Sequence, residues 1–197
     1  MGNYKESIAI IIPALDPDER MVSLVGQLHD DGFSNIILVD DGSLIANRKY
    51  FKTCKETCHC KIIRHVVNFG KGIALKSAFN YILEQRPDIK GAVTVDCDGQ
   101  HVLPDINTCA KLTYEHPDSL ILGCRQFDDK EIPLRSRFGN KLTRQMIRLL
   151  CGIHVSDTQT GLRGLPTPLI REHFANVKGE RFEYEMNMLI AAKEYQI

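Results

Sequence analysis

The sequence predicts an α/β fold: an open, mostly parallel sheet flanked by helices, in one domain spanning residues 1–197. Three observations predict it. Short β-branched runs such as Ser7 to Ala14 (SIAIIIPA) are apolar throughout, as strands covered on both faces are. Segments with apolar residues at helical spacing separate these runs. Each run ends in a loop rich in Asp, Gly or Cys, and in open α/β sheets the loops at the carboxyl ends of strands build the ligand site.

Each element follows from its own pattern. The Ser7–Ala14 run ends at Pro13-Ala14, and Met21, Leu24, Val25 and Leu28 then repeat on one helical face until Asp31-Gly32 ends the helix. Asn35 to Val39 is a second strand running into Asp40-Asp41-Gly42-Ser43, and Lys61 to Val67 is a third. Gly72 to Glu84 is a helix with Ile73, Ala74, Ala78, Tyr81 and Ile82 on one side. Ala92 to Val95 is a fourth strand entering Asp96-Cys97-Asp98, and Ser119 to Leu122 is a fifth, ending at Gly123-Cys124-Arg125. From Pro133 the pattern turns to helix and loop, with Arg135 to Leu150 and Phe182 to Tyr195 as helices. The chain stops just after a helical run, so a C-terminal truncation is expected.

Composition narrows the function classes. With 25 Lys+Arg against 25 Asp+Glu, 43% hydrophobic residues and no Trp, the chain has a folded globular composition. It lacks the basic excess and interleaved aromatics of a nucleic-acid binder. The longest apolar run, Ile8 to Leu15, is far short of the ~20 residues that cross a bilayer. Seven scattered cysteines form no paired framework and suit a reducing cytoplasm. Cys54, Cys58, His59 and Cys60 lack the C-x-x-C spacing of a zinc knuckle. Met1-Gly2 is no myristoylation signal, because Glu6 stands where Ser or Thr is needed.

The chemistry-bearing clusters all lie at strand ends or in the C-terminal part. Asp96 and Asp98, two residues apart after a buried strand, can face one divalent cation, and Gln100 offers a third side-chain oxygen. Mg²⁺ or Mn²⁺ is the expected cofactor, since hard cations take oxygen ligands and phosphate oxygens. Asp40 and Asp41 occupy the same place on the second strand, where a carboxylate accepts from a base N–H or a ribose hydroxyl. Asn68-Phe69-Gly70-Lys71-Gly72 opens a helix and turns free N–H groups and the Lys71 cation toward an anion. It is not a Walker loop, because no Ser or Thr follows Gly-Lys.

The acceptor-side segment is locally basic. Arg137, Lys141, Arg144 and Arg148 form one helical stripe, a solvated face or a contact for an anionic acceptor or lipid surface. Asp157 to Gly164 combines acid, hydroxyl and cation, and Arg163 could grip a phosphate. Glu180 to Glu185 starts a helix, where acids favour the dipole. His101 stands beside the Asp96-x-Asp98 loop.

Taken in order, Ile11-Ile12-Pro13-Ala14, Val39-Asp40-Asp41-Gly42-Ser43, Asn68-x-Gly70-Lys71-Gly72, Asp96-x-Asp98-x-Gln100-His101, Gly123-x-Arg125 and Asp157-x-x-Thr160-Gly161-x-Arg163 resemble the family 2 glycosyltransferases of GT-A fold. The D-x-D-x-Q pattern, the Arg-rich helix and the last loop resemble more narrowly the branch with dolichol- and polyprenol-phosphate sugar synthases. Two departures stand out. Leu15-Asp16-Pro17 replaces the usual aromatic-Asn-Glu, which bears on nucleotide preference, and the Q-x-x-R-W motif of processive polymerases is absent.

The resemblance implies a nucleotide-binding half at about 1–125 and an acceptor-side half at about 126–197. It places Pro13, Ala14 and Asp41 around the base and ribose of a UDP- or GDP-sugar, with Asp40 supporting the turn. Asp96, Asp98 and Gln100 would hold the metal on the diphosphate, and transfer would invert the anomeric carbon. A polyprenol phosphate acceptor, already ionised near neutral pH, needs no base. Arg125, Arg137 and Arg163 would position it, whereas a sugar-hydroxyl acceptor would use Asp157 as base. The expected location is cytoplasmic, at the inner membrane face through the Arg135–Arg148 helix and segments beyond Ile197.

Rival readings fit less well. In a haloacid-dehalogenase-like phosphatase the D-x-D pair sits on the first strand with Thr or Val after Gly, whereas here Gln100 follows the fourth. A sugar nucleotidyltransferase wants a Gly-rich basic signature where Pro13-Ala14-Leu15-Asp16 stands. A non-catalytic binder of sugar nucleotides or lipid head groups would keep the same residues without turnover.

Overall fold

The structure, a computed structural model, describes residues 3–124 and 160–197. After a single helical turn, α1 (Tyr4–Ser7), come β1 (Ile8–Ala14), α2 (Glu19–Asp30), β2 (Ile36–Asp40) and α3 (Arg48–Cys58). Next follow β3 (Lys61–Arg64), α4 (Lys71–Gln85), β4 (Gly91–Thr94), α5 (Leu103–Glu115) and β5 (Ile121–Leu122). The described chain closes with β6 (Arg163–Pro166), α6 (Thr167–Glu172) and α7 (Glu183–Glu194).

These strands form one sheet in the order β3-β2-β1-β4-β6-β5. β1 pairs in parallel with both β2 and β4, and β2 with β3. β6 runs antiparallel to β4 and to β5. The predicted mostly parallel α/β sheet is therefore present.

The period-2 alternation of a strand sorts β1 onto two cores. Ile8, Ile10 and Ile12 pack with Met21, Val25 and Leu28 of α2 and Ile106 of α5. Ala9 and Ile11 face the other way, onto Ala74, Phe79 and Ile82 of α4 and Met188 of α7. Both faces are covered, which is why the strand is apolar from Ile8 to Ala14. Among the described residues no helix is long and apolar enough to cross a membrane.

Several expectations change. The third strand stops at Arg64, because the next residues turn to meet Asp41. The loop predicted around residue 163 is instead strand β6, paired Thr94↔Arg163. Its antiparallel course brings residues 160–163 to the carboxyl end of β4. The helix predicted at Arg135 to Leu150 lies outside the described residues.

Candidate active site

The strand order reverses direction between β1 and β4, and a crevice opens beyond their carboxyl ends, as expected at such a switch point. A cavity of about 380 Å³ occupies it. Pro13 and Ala14 from β1, Asp41 from the loop after β2, and Asn68 and Lys71 from the entry to α4 line one part. Asp96 and Asp98, from the loop after β4, line another. Arg181, Phe182 and Glu185, at the start of α7, close it.

Asp40 and Asp41 have separate tasks. Asp40 is fully buried and outside the cavity lining; its carboxylate accepts from the Ser43 N–H and from Arg64 Nε, each at 2.8 Å. It holds the turn. Asp41 lines the cavity, yet most of its acceptor capacity shapes the loop before α4. Oδ1 accepts from the Phe69 N–H at 3.0 Å and from His65 Nδ1 at 2.7 Å, and Oδ2 accepts from the Gly70 N–H at 2.8 Å. His65 Nδ1 thus carries the proton toward Asp41, and Nε2 lies 2.9 Å from Ser77 Oγ on α4. Gly70, at φ +101, sits where a side chain would be strained and would meet Arg181 and Glu180.

Lys71 joins the two sides of the crevice. Its ammonium is 2.7 Å from Asp96 Oδ1 and 2.9 Å from Glu185 Oε2. Burial opposes its charge, but the Glu185 and Asp96 carboxylates outweigh burial and raise the Lys71 pKa. Burial likewise opposes the Asp96 charge; His101, 3.4 Å from Oδ2, and Lys71 overcome it and hold the carboxyl below the usual range.

Arg163 corrects an expectation. The side chain predicted to grip an acceptor phosphate is fully buried behind the crevice. Its guanidinium donates to the Thr160 carbonyl at 3.0 Å and to the Glu185 carbonyl, and Nε lies 3.8 Å from Glu185 Oε1. Buried on β6, it braces the first turn of α7. Gln100 changes role as well: it is exposed, lies outside the cavity lining, and donates to Asp98 through its N–H (3.0 Å) and its side-chain amide (2.6 Å). In this arrangement it orients Asp98. Arg125, Arg137 and Asp157 lie outside the described residues.

The donor set suits a divalent cation. Asp96 and Asp98 bring two hard carboxylates to one cavity, and the ammonium against Asp96 shows that a cation is favoured there. Among the described residues no group of three or more His, Cys, Asp or Glu could hold a metal. Remaining ligands would come from phosphate oxygens and water, which is how Mg²⁺-type ions bind at nucleotide sites.

Glu185, Arg181 and Phe182 are the cavity residues that sequence reasoning missed. The acids of that segment read as dipole-favouring, and Glu183 does act so, its Oε1 accepting from the Glu180 and Arg181 N–H groups. Glu185 is different: it is buried, and Oε1 accepts no hydrogen bond among the described residues. The available signal was its helical phase, two residues from Glu183 and hence on another face.

A carboxylate pair and a helix N-terminus facing each other across the switch point of an α/β sheet define the GT-A class of glycosyltransferase. The chain belongs to glycosyl transferase family 2, whose family model matches residues 10–174. It is 30% identical over 206 residues to a UDP-N-acetylglucosamine–dolichyl-phosphate N-acetylglucosaminyltransferase of Methanococcus voltae, covering 96% of this chain and 81% of that one. It is 29% identical over 194 residues to an uncharacterized protein of Methanocaldococcus jannaschii, covering 97% and 77%. Glucosyl-3-phosphoglycerate synthase of Mycobacterium tuberculosis, solved with Mn²⁺, UDP-glucose and glycerol 3-phosphate, shares the fold at TM-score 0.68 and 17% identity. That match covers 96% of this chain and 66% of the synthase, so the chain spans about two thirds of the solved structures it matches.

Proposed function

We propose that this family 2 glycosyltransferase moves a sugar from a UDP- or GDP-sugar to a polyprenol phosphate, with Mg²⁺ or Mn²⁺ held by Asp96 and Asp98. The observation that carries the donor side is the cavity at the switch point, where both carboxylates meet the N-terminus of α4. The acceptor class is supported by the Methanococcus voltae relative and by the human dolichyl-phosphate beta-glucosyltransferase, 23% identical over 214 residues, which covers 98% of this chain and 64% of the human one.

A bound cation would offset the charge that builds on the departing nucleotide diphosphate. The chain's own residues do the rest. Pro13 and Ala14 line the cavity for the base, Asp41 keeps the 68–70 loop in position, and the N-terminus of α4 turns the positive end of its dipole to phosphate. Lys71 sets the Asp96 carboxylate and ties it to Glu185. A phosphate acceptor attacks as an anion, so no proton has to be removed at the moment of transfer.

Incubation with radiolabelled UDP-N-acetylglucosamine, UDP-glucose or GDP-mannose, dolichyl phosphate and Mn²⁺ tests the reading directly. One donor is expected to yield label in the organic phase, and Asp98→Ala or EDTA is expected to abolish it. Label appearing equally with EDTA sinks the metal assignment; label reaching only water-soluble product sinks the lipid acceptor.

A further inference from the structure

We infer that the loops after β1, β2 and β3, together with α3, form a docking surface for an anionic lipid bilayer. This deepens the lipid-phosphate reading above, because an acceptor with a polyprenol tail is met at a bilayer. The structure places large apolar side chains in the open on all three loops: Ile45 is 82% exposed, Val66 83% and Leu44 66%, with Leu15, Val67 and Phe69 beside them. Six exposed apolar side chains gathered on three linked loops mark an interaction surface, whereas Val102, Phe182 and Tyr195, the other exposed large apolar side chains among the described residues, stand elsewhere in the chain.

The loops form one unit. The Leu44 N–H and the Asn47 side-chain amide both donate to Asp16 Oδ1, at 2.8 and 3.0 Å, which locks the loop after β2 to the loop after β1. Gly42, at φ +81, packs so closely on the Val67 backbone that a Cβ would overlap it, which locks the loop after β3 to the other two. Their apolar side chains are therefore held outward by fixed backbone.

Cations border the apolar rim. Arg48, Lys49, Lys52, Lys55 and Arg64 line a groove with Ile62. Arg48 Nε donates to the Ser43 carbonyl at 3.3 Å, so the groove begins where the apolar loop ends. Lys49 lies over the Tyr50 ring, Lys52 lies 3.7 Å from Glu56 in a pair exposed on both sides, and Arg64 reaches the buried Asp40. Arg48 and Lys49 stand in the first turn of α3, which holds no acid. Cations there oppose the helix dipole, so helix stability does not account for them. Phosphate head groups do: apolar side chains at the acyl boundary with Lys and Arg at head-group level are what an interfacial surface needs. Leu15 belongs to both the rim and the sugar-nucleotide cavity, so docking would turn the mouth of the cavity toward the bilayer.

The test uses a reporter that the sequence leaves free, since the chain has no Trp. Ile45→Trp is titrated with vesicles of phosphatidylcholine and phosphatidylglycerol at 7:3 and of phosphatidylcholine alone, with neither donor nor polyprenol phosphate present. The expected result is a blue shift and quenching by bromine-labelled acyl chains on the anionic vesicles only, weakened by salt. Adding Lys52→Ala and Lys55→Ala should lower the partition coefficient about fivefold per cation, about 25-fold for the pair. Tyr195→Trp, at the far end of α7 and about 15 Å along the helix from Glu185, should not shift. Circular dichroism matching the unmodified chain shows that each variant is folded.

No shift at Ile45→Trp, or an equal shift at Tyr195→Trp, overturns the proposal. So does a shift that grows with protein concentration without vesicles, which would make the patch a contact between copies. Transfer to farnesyl phosphate in detergent-free buffer tests the acceptor reading alone. Transfer without vesicle binding overturns only the docking surface, and vesicle binding without transfer overturns only the acceptor.

Discussion

The charges of the crevice converge on Lys71, and the side chain that makes this arrangement durable is Arg163. Asp96, Lys71, Glu185 and Arg163 form a chain of alternating sign from the carboxylate loop to the buried face of β6. Leaving a buried charge without its partner is costly even where the pair itself contributes little. Arg163→Met is therefore expected to lower unfolding stability by about 3 kcal/mol. It removes the donors to the Thr160 and Glu185 carbonyls and, among the described residues, leaves Lys71 as the cation paired with Glu185. Urea denaturation reads this as a lower midpoint at unchanged slope; a loss below about 1 kcal/mol would mean that Arg163 is dispensable to the fold and would reopen its role as a ligand-facing group. The placement of Asp96 and Asp98 at the crevice was readable in the sequence because both carboxylates follow an apolar strand end. That of Arg163 was not: a D-x-x-T-G-x-R loop looks like a phosphate grip until the antiparallel pairing of β6 turns its arginine inward.

At the scale of elements, Gly161 decides how near the Asp96–Asp98 loop lies to the residues that lead into β6. The Thr94 hydroxyl donates to the Gly161 carbonyl at 2.8 Å, and a Cβ on Gly161 would overlap the Asp96 carboxylate. Gly161→Ala is expected to displace Asp96 and weaken Mn²⁺-dependent binding of the donor nucleotide at least tenfold, at a stability cost of about 1–3 kcal/mol for overpacking. Calorimetric titration of the nucleotide with Mn²⁺ reads the first effect; wild-type affinity in this variant would show that Asp96 has room to spare. β1 and β2 follow their sequence patterns closely, since both faces of each are covered, whereas α4 forms where expected but buries Leu75 and Phe79 in place of Ile73 and Tyr81. α3 and α5 are less visible: Phe51 and Cys54 are the buried side chains of one, and Ile106, Cys109, Ala110 and Thr113 of the other, too sparse or too polar for a clear stripe. β6 is buried at all four positions but spells Arg-Gly-Leu-Pro, in which Gly164 fits because a Cβ would overlap Thr113 of α5. Such a strand is fixed by what packs on it, which local sequence does not display.

For the whole molecule, the sheet separates two tasks. The core formed with α2 and α5 and the core formed with α4, α6 and α7 lie on opposite faces, while the cavity lies at one end of the sheet and draws its helix residues from α4 and α7. A ligand bound there would tie β1, β4, α4 and α7 together and so resist global unfolding. Mn²⁺ with the cognate sugar nucleotide at about 100 times its dissociation constant contributes about 2.7 kcal/mol to stability. For a chain of this length that corresponds to a rise in Tm of about 5–11 °C. Asp98→Ala should keep the unliganded Tm, because among the described residues Asp98 accepts hydrogen bonds only from the neighbouring Gln100, and should lose most of the rise. Differential scanning calorimetry with UDP-glucose, UDP-N-acetylglucosamine and GDP-mannose, each with Mn²⁺ and with EDTA, would identify the base and sugar in one series. An equal rise with Asp98→Ala or with EDTA would place nucleotide binding away from the carboxylate pair and break the link between this cavity and the transfer reaction.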